Sequence, residues 1–175
     1  MNTTSNRTRT LAVGAICALA AALTACGAAP VSPPTTASPT SSTVPGSPTS
    51  DAWRQEMLAN LNAQRATAGL APLALCNSLT TAAQNQSNAQ AAQNRMFHAD
   101  LKTNAEAAGY RGWRLLAENV AAGQRSVNEV MTSWMNSSGH RANILGGSEH
   151  VGFGRATGSS GTIFWTQSFG AGGTC

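Results

Sequence analysis

Apolar residues recur at helical spacing over two segments of the chain. In residues 51–68 they follow the i, i+4, i+5 and i+8 positions of one helix face, at Trp53, Met57, Leu58 and Leu61. In residues 127–135 the spacing is i, i+3, i+4, i+7 and i+8, at Val127, Val130, Met131, Trp134 and Met135. Each segment predicts an amphipathic helix with one face toward a core. Gly69 and Gly139 are expected to end these helices, because glycine is common just past a helix C-terminus.

Capping patterns predict where the helices begin. Asn77 can cap a long helix that runs to about Arg95, with Leu79 and alanines inward and an uncharged Gln- and Asn-rich face outward. Thr103-Asn104-Ala105-Glu106 has the Ser/Thr-x-x-Glu pattern of a capping box and predicts a short helix that Gly109 ends. Ser126-Val127-Asn128-Glu129 has the same pattern and begins the helix over residues 127–135.

Strand patterns occur later in the chain. Residues 150–155 and 162–169 are rich in β-branched and aromatic side chains, and the Gly-rich link over 157–161 predicts a hairpin between them. Residues 115–121 predict a third strand. Helices that come first, followed by a strand hairpin, predict an α+β domain with an antiparallel sheet.

The first fifty residues differ in composition from the rest. Residues 10–50 contain no charged residue, and no aromatic residue precedes Trp53. Arg7 and Arg9 precede an apolar run that is too short to span a bilayer, so residues 1–25 are predicted to be a secretion signal. Residues 26–50 are rich in Ser, Thr and Pro and predict a disordered tether. Residues 51–175 remain as one domain.

The segment Leu23-Thr24-Ala25-Cys26-Gly27 resembles a bacterial lipobox, in which the cysteine thiol receives a diacylglycerol group. We therefore expect the mature chain to begin at Cys26 and to be anchored by its acyl chains in the membrane. The expected location is the extracytoplasmic side of the cell envelope, reached by the general secretory route. The alternative is an ordinary signal peptide that is cleaved after an alanine and leaves Cys26 unmodified.

Charge and cysteine content narrow the function of the domain. Residues 51–175 contain nine Lys and Arg against seven Asp and Glu, a net charge of +2 without a basic cluster. This argues against a nucleic-acid partner. Arg65, among other charged residues of the predicted helices, is expected on a solvated face. Cys76 and Cys175 are expected to form a disulfide bond, because both remain in an exported domain.

Four segments of the domain, in their order along the chain, resemble the CAP family of cysteine-rich secretory proteins, insect antigen 5 and plant pathogenesis-related 1 proteins. The most specific is Trp134-Met135-Asn136-Ser137-Ser138-Gly139-His140-Arg141-Ala142-Asn143-Ile144-Leu145. The others are Met96-Phe97-His98, Leu116-Ala117-Glu118-Asn119-Val120, and Val151-Gly152-Phe153-Gly154 followed by Phe164-Trp165-Thr166-Gln167-Ser168-Phe169. The resemblance covers essentially all of residues 51–175. It implies an α-β-α sandwich with a central antiparallel sheet and a cleft.

In eukaryotic members of that family two histidines and two glutamates line the cleft. The resemblance carries these roles over to His98, Glu118 and His140, whereas Ser137 stands where the second glutamate would be. It therefore implies a cleft lined by His98, Glu118, Ser137 and His140, with an incomplete tetrad. Asn143 is expected to fix the loop after His140.

Two imidazoles and a carboxylate can hold a zinc ion with open positions, which makes His98 and His140 candidate zinc ligands. The alternative is that both imidazoles are structural groups and that Glu118 orients them. A metal or an imidazole could also activate water, which would make the protein a hydrolase of envelope peptide or glycan. However, the chain has no HExxH or nucleophile-elbow motif, and Ser138-Gly139-His140 predicts a tight turn.

The sequence therefore favours a binding module over an enzyme. Its expected partners are the membrane, through lipidated Cys26, and a cleft ligand that is a small lipid, a glycan, or an envelope or host protein.

Overall fold

The computed structural model describes residues 52–175. The predicted signal over residues 1–25, the lipidated Cys26 and the tether up to residue 50 lie outside the described residues. Within residues 52–175, no helix combines the length and the apolar character that crossing a membrane requires.

The described part of the chain contains five helices and four strands. The helices are α1 (Ala52–Thr67), α2 (Asn77–Gln93), α3 (Leu101–Ala107), α4 (Val127–Met135) and α5 (Ser138–Ile144). The strands are β1 (Ala74–Leu75), β2 (Leu115–Ala122), β3 (His150–Thr157) and β4 (Ile163–Ala171).

The strands form one mixed sheet in the order β1-β3-β4-β2. The predicted hairpin is confirmed, because β3 and β4 pair antiparallel with His150 opposite Gly170. The predicted third strand, β2, pairs antiparallel with the other side of β4 and forms one edge of the sheet. The sheet differs from the prediction at its other edge, where β1 pairs parallel with β3. This strand has only two residues, too few to produce a periodic pattern.

Helices cover both faces of the sheet, so the predicted α-β-α sandwich is confirmed. Helix α2 packs along β3 and β4, with α3 beside it, whereas α1, α4 and α5 pack together on the other face. The larger core lies on this second face, and its most buried side chains are Leu61, Val130, Ile144, Val151, Phe153, Trp165 and Phe169. A smaller cluster of Cys76, Leu79, Ala105 and Tyr110 lies on the α2 face.

Two glycines of β3 allow α2 to lie directly against the sheet. A Cβ atom on Gly152 would stand 2.0 Å from the carbonyl carbon of Leu79, and one on Gly154 would stand 2.1 Å from the carbonyl oxygen of Ala83. Both neighbours are backbone atoms of α2, which side-chain rotation cannot move away. The Gly-x-Gly pattern in β3 is therefore a packing requirement of the α2 layer.

Three predicted helix ends are wrong. Asn77 is the first residue of α2, and Cys76 is its N-cap. Helix α3 begins before the predicted capping box, because the side chain of Asp100 accepts a hydrogen bond from the Thr103 N–H and caps the helix. Helix α4 ends at Met135, and Gly139 lies in the first turn of α5 instead of ending α4.

The outward face predicted for α2 is also wrong in part. Gln86, Ser87 and Gln90 are buried. Ser87 and Gln90 donate hydrogen bonds to the Thr166 hydroxyl on β4. Polar side chains of α2 therefore form hydrogen bonds with the sheet. The periodicity of apolar residues alone does not predict that they are buried.

Arg65 is buried, although a solvated position was expected. The residue is only 4% exposed, and its guanidinium donates hydrogen bonds to the carbonyls of Ala71, Ile144 and Gly146. Burial lowers the pKa of its guanidinium from the ordinary value. Since two of these carbonyls lie at the C-terminal end of α5, Arg65 joins α1 to the helix that carries His140.

The predicted disulfide bond between Cys76 and Cys175 is confirmed. It joins the last residue of the chain to the start of α2, 99 positions earlier. Near it, the Tyr110 hydroxyl accepts a hydrogen bond from the Gly173 N–H. The C-terminal residues are thus held against the small core cluster on the α2 face.

Substituting Gly152→Ala should destabilise the domain by about 3 kcal/mol, because the added methyl group overlaps the α2 backbone and forces the helix off the sheet. Gly147→Ala is the matched control, since no atom lies within 4 Å of its Cβ position. Urea unfolding of both variants measures the difference. Equal midpoints for the two variants would contradict the close approach of α2 to β3.

Candidate functional site

Glu118 lies in the middle of the edge strand β2 with its side chain buried. That side chain is 1% exposed, and its Oε1 atom accepts a hydrogen bond of 3.0 Å from the Ala99 N–H. The same oxygen lies 3.0 Å from Nδ1 of His98. The second oxygen, Oε2, is buried and has no hydrogen-bond partner among residues 52–175. A buried carboxylate with one unsatisfied oxygen is costly, so this group is a strong indication of a functional site.

Burial raises the pKa of the Glu118 carboxyl above its ordinary value. The hydrogen bonds from Ala99 and His98 act in the opposite direction, and burial is the larger effect. Glu118 is therefore closer than an exposed glutamate to carrying a proton near neutral pH.

His98 lies between α2 and α3 and covers this carboxylate from the solvent side. Its side chain is 62% exposed, in contrast to that of Glu118. Because Nδ1 faces Glu118, the opposite ring nitrogen, Nε2, is the one available to a ligand. The carboxylate fixes the imidazole at one atom only, which leaves the ring accessible.

His140 lies in the first turn of α5 and is half-buried. Burial lowers the pKa of its imidazole below the ordinary value of 6.5, and the charge of His98 lowers it further. His98 thus acts on the pKa of His140 through its charge, although 42 positions separate the two residues in the sequence. That His98 and His140 line one cleft stays a prediction.

The backbone at His140 is held by a buried amide, Asn119, on the same strand as Glu118. Asn119 Nδ2 donates to the His140 carbonyl at 3.1 Å and to Gln167 Oε1 at 3.0 Å. Gln167 in turn directs its Nε2 toward the sulfur atoms of Met57 and Met131 in the core. Sequence reasoning missed the roles of Asn119 and Gln167, which read as ordinary strand residues until their cross-strand pairing is known.

Asn143 was expected to fix a loop after His140, but this segment is helix α5, which Asn143 joins to the edge strand. Its Nδ2 donates to the Glu118 carbonyl at 3.1 Å and to Asn119 Oδ1 at 2.8 Å. The same hydrogen-bonded group therefore positions the backbone of both Glu118 and His140.

Ser137 is the N-cap residue of α5, and its side chain makes no capping hydrogen bond. The neighbouring Ser138-Gly139-His140 segment forms the first turn of α5, so the predicted tight turn is wrong. Ser137 thus lies at the N-terminus of α5, three residues before His140. Its hydroxyl group makes no hydrogen bond with the described residues.

The donor set does not fit a resident zinc ion. Within residues 52–175, no group of three or more His, Cys, Asp or Glu side chains is placed to hold a metal. Zinc sites in proteins use three protein ligands and water, or four protein ligands. Here Oε1 of Glu118 is occupied by Ala99 and His98. Contact of a zinc ion with His98 and His140 stays a prediction.

The pKa of His140 should lie below 6.5 and should rise in a His98→Ala variant, because the nearby positive charge is then absent. It should stay below 6.5 even then, since burial is the larger cause. The folded domain should accordingly lose stability as the pH falls through 6.5, because the unfolded chain takes up this proton first. NMR titration of the imidazole measures the pKa.

His150→Gln serves as the control, since His150 is not among the groups that shift the pKa of His140. An unchanged His140 pKa in His98→Ala would show that the two imidazoles do not share one site.

Comparison with known proteins agrees with this architecture. Residues 58–169 match the family model described as CAP, the cysteine-rich secretory protein family. YkwD of Bacillus subtilis strain 168 is 32% identical over 123 residues, which are 67% of this chain and 47% of that protein. The chain thus spans about half the length of this relative.

Solved structures show the same fold. An extracellular protein containing a SCP domain from Bacillus anthracis is 25% identical, with a TM-score of 0.59 over 67% of this chain and 39% of that chain. An outer surface protein from Borrelia burgdorferi is 16% identical, with a TM-score of 0.61 over 67% of this chain and 91% of that chain. The second likeness shows the fold alone. Since the family match covers more than half of the sequence, the chain belongs to the CAP family of cysteine-rich secretory proteins.

Proposed function

We propose that this protein is a lipid-anchored, extracytoplasmic binding module of the bacterial cell envelope, and that its ligand enters the cleft at His98, Glu118 and His140. The unpartnered Oε2 of buried Glu118 is the observation that carries this proposal. A ligand group that donates a hydrogen bond to Glu118 would offset the cost of leaving that oxygen unsatisfied.

The exposure of His98 supports access to this carboxylate. The imidazole that covers Glu118 is mostly in solvent, so it can turn aside without breaking core packing. The buried amide of Asn119 and the half-buried amide of Asn143 keep the backbone at Glu118 and His140 fixed while the imidazole moves. A rigid backbone with one exposed side chain above it suits a binding site, because few groups lose conformational entropy when the ligand binds.

Three observations support an extracytoplasmic location. The Cys76–Cys175 disulfide is of a kind that persists in oxidising compartments. The basic and apolar pattern of residues 1–25 is typical of a secretion signal. In addition, the Bacillus anthracis relative is described as extracellular. The lipobox around Cys26 adds the membrane as the anchoring partner, and stable anchoring needs two or more acyl chains.

A hydrolase that acts on envelope peptide or glycan is the second candidate. The raised pKa of Glu118 favours it, because a general acid must hold a proton near the working pH. The zinc-dependent form of this activity lacks a three-ligand group among residues 52–175. Binding without catalysis is therefore the function that the geometry supports better.

The anchoring claim predicts that Cys26→Ser releases the protein from the membrane, because the lipid acceptor is lost. Cys17→Ser, within the predicted signal, is the matched control and should remain membrane-bound. Fractionation and intact-mass measurement of the mature protein report both results. A wild-type mature N-terminus that carries no lipid would contradict the anchor.

The binding claim predicts that a soluble digest of purified cell wall shifts the NMR signals of His98, Glu118 and His140 in the full chain. Glu118→Ala should weaken this response at least ten-fold, because the ligand loses a hydrogen bond to a charged or buried acceptor. Zinc alone should not raise the unfolding temperature. A zinc-induced rise that disappears in the His98→Ala, His140→Ala double variant would instead support the metal-assisted hydrolase.

A further inference from the structure

A surface groove lies beside His98, next to the proposed ligand site. It lies between the exposed side of α2, the segment that joins α2 to α3, and α3 itself, and it has a volume of about 390 Å³. His98 lines this groove and also contacts Glu118, so the imidazole forms the wall that the groove and the cleft share. A ligand longer than one chemical group could therefore occupy both.

The floor of the groove is apolar and shallow. Ala89, Ala99 and Ala107 line it, together with Phe97. The guanidinium of Arg95 lies 4.7 Å from the centre of the Phe97 ring, which fixes the orientation of the aromatic side chain. Small side chains beside one aromatic ring form a surface on which a flat, partly apolar molecule can lie.

Hydrogen-bond acceptors surround this floor. Gln86 donates its Nε2 to the Phe97 carbonyl, and Asn104 donates its Nδ2 to the Ala82 carbonyl. One N–H of each amide is thus engaged, whereas the amide oxygen has no partner among residues 52–175. The amide of Asn85 is exposed and likewise makes no hydrogen bond with the described residues. These groups call for a ligand that carries several hydrogen-bond donors.

The residues that line the groove do not favour an anionic ligand, and the cation closest to them, Arg95, lies against the Phe97 ring. No Lys or Arg is among its lining residues, and the one ionised group is Asp100. The Thr103 N–H lowers the pKa of Asp100, so this carboxyl is negatively charged at neutral pH. Asp100 therefore disfavours a phosphate or a carboxylate in this groove relative to an uncharged ligand.

A peptide is also disfavoured, because the sheet does not offer it a free edge here. The two β2 carbonyls next to the cleft, those of Glu118 and Val120, accept hydrogen bonds from Asn143 and from the indole of Trp134. An extended peptide that added itself to β2 would have to displace both. A flat ligand with many hydroxyl or acetamido donors fits the acceptor-rich rim better.

We propose that the groove bounded by Asn85, Phe97, His98 and Asn104 is a subsite for an uncharged glycan, which continues the cleft toward α3. Sugar hydroxyl or acetamido N–H groups donate to the amide oxygens of Asn85, Gln86 and Asn104, and the apolar face of one ring lies on the alanines and Phe97. This inference rests on the proposed binding function of the cleft and identifies the class of its ligand.

The test is an NMR titration of the full chain with chitotetraose, a neutral oligosaccharide that carries both hydroxyl and acetamido donors. The signals of Asn85, Phe97, His98 and Asn104 should shift together and saturate. Asn85→Ala should weaken binding about five-fold, because one hydrogen bond is lost. This side chain makes no bond within the described fold, so the variant should stay folded. Asn128→Ala, an exposed amide on α4, is the matched control and should bind like the wild type.

Two results would contradict the glycan subsite. One is that the groove signals do not shift with chitotetraose. The other is that Asn85→Ala and Asn128→Ala bind chitotetraose equally well. A sugar-free stem peptide that shifts the groove signals in place of chitotetraose would assign the groove to peptide. If the cell-wall digest moves Glu118 and His140 while the groove signals stay fixed, the proposed cleft function stands and the glycan subsite falls. If no signal of the cleft moves either, both proposals fall.

Discussion

The site depends on one buried amide, Asn119. Its residue is fully buried, and its side chain bonds to the His140 carbonyl, to Gln167 on β4 and to Asn143 on α5. Helix α5 is only seven residues long, so it cannot hold its own position by helix propensity. The hydrogen bonds of Asn119 hold this short helix in place against β2. Asn119 is the residue next to Glu118, so the same strand positions both groups.

This constraint explains how groups from distant parts of the chain meet at one sheet edge. Glu118 and Asn119 are neighbours on β2, so their side chains point to opposite faces of the sheet. Glu118 meets His98 on the α2 face, and Asn119 holds α5 from the other face. Arg65 fixes the far end of α5 through the Ile144 and Gly146 carbonyls. Glu118 and His140 therefore have a rigid base, and His98 is the exposed member of the proposed site.

The sequence predicted the elements that depend on local pattern and missed those that depend on distant partners. The 3.6-residue periodicity located α1 and α4, and the Gly-rich link located the β3–β4 hairpin. The sequence pattern could not distinguish Asp100 from Thr103 as the N-cap of α3, because both residue types cap helices. Which of them does so depends on the backbone conformation before the helix. Arg65, Asn119 and Gln167 look like surface residues by type, and their burial follows from carbonyls and amides far away in the chain. The cleft residues came from a family resemblance, since no local spacing joins His98 to His140.

The most direct test of this account is amide hydrogen exchange in an Asn119→Ala variant of the full chain. Removing the amide takes away bonds to α5 and leaves buried polar groups unsatisfied, each at a cost of about 1 kcal/mol or more. The account predicts that the amides of residues 141–145 exchange at least ten-fold faster, while those of α2 keep their protection. An unchanged exchange rate in α5, or an equal loss of protection throughout the domain, would contradict the claim that Asn119 holds the site together.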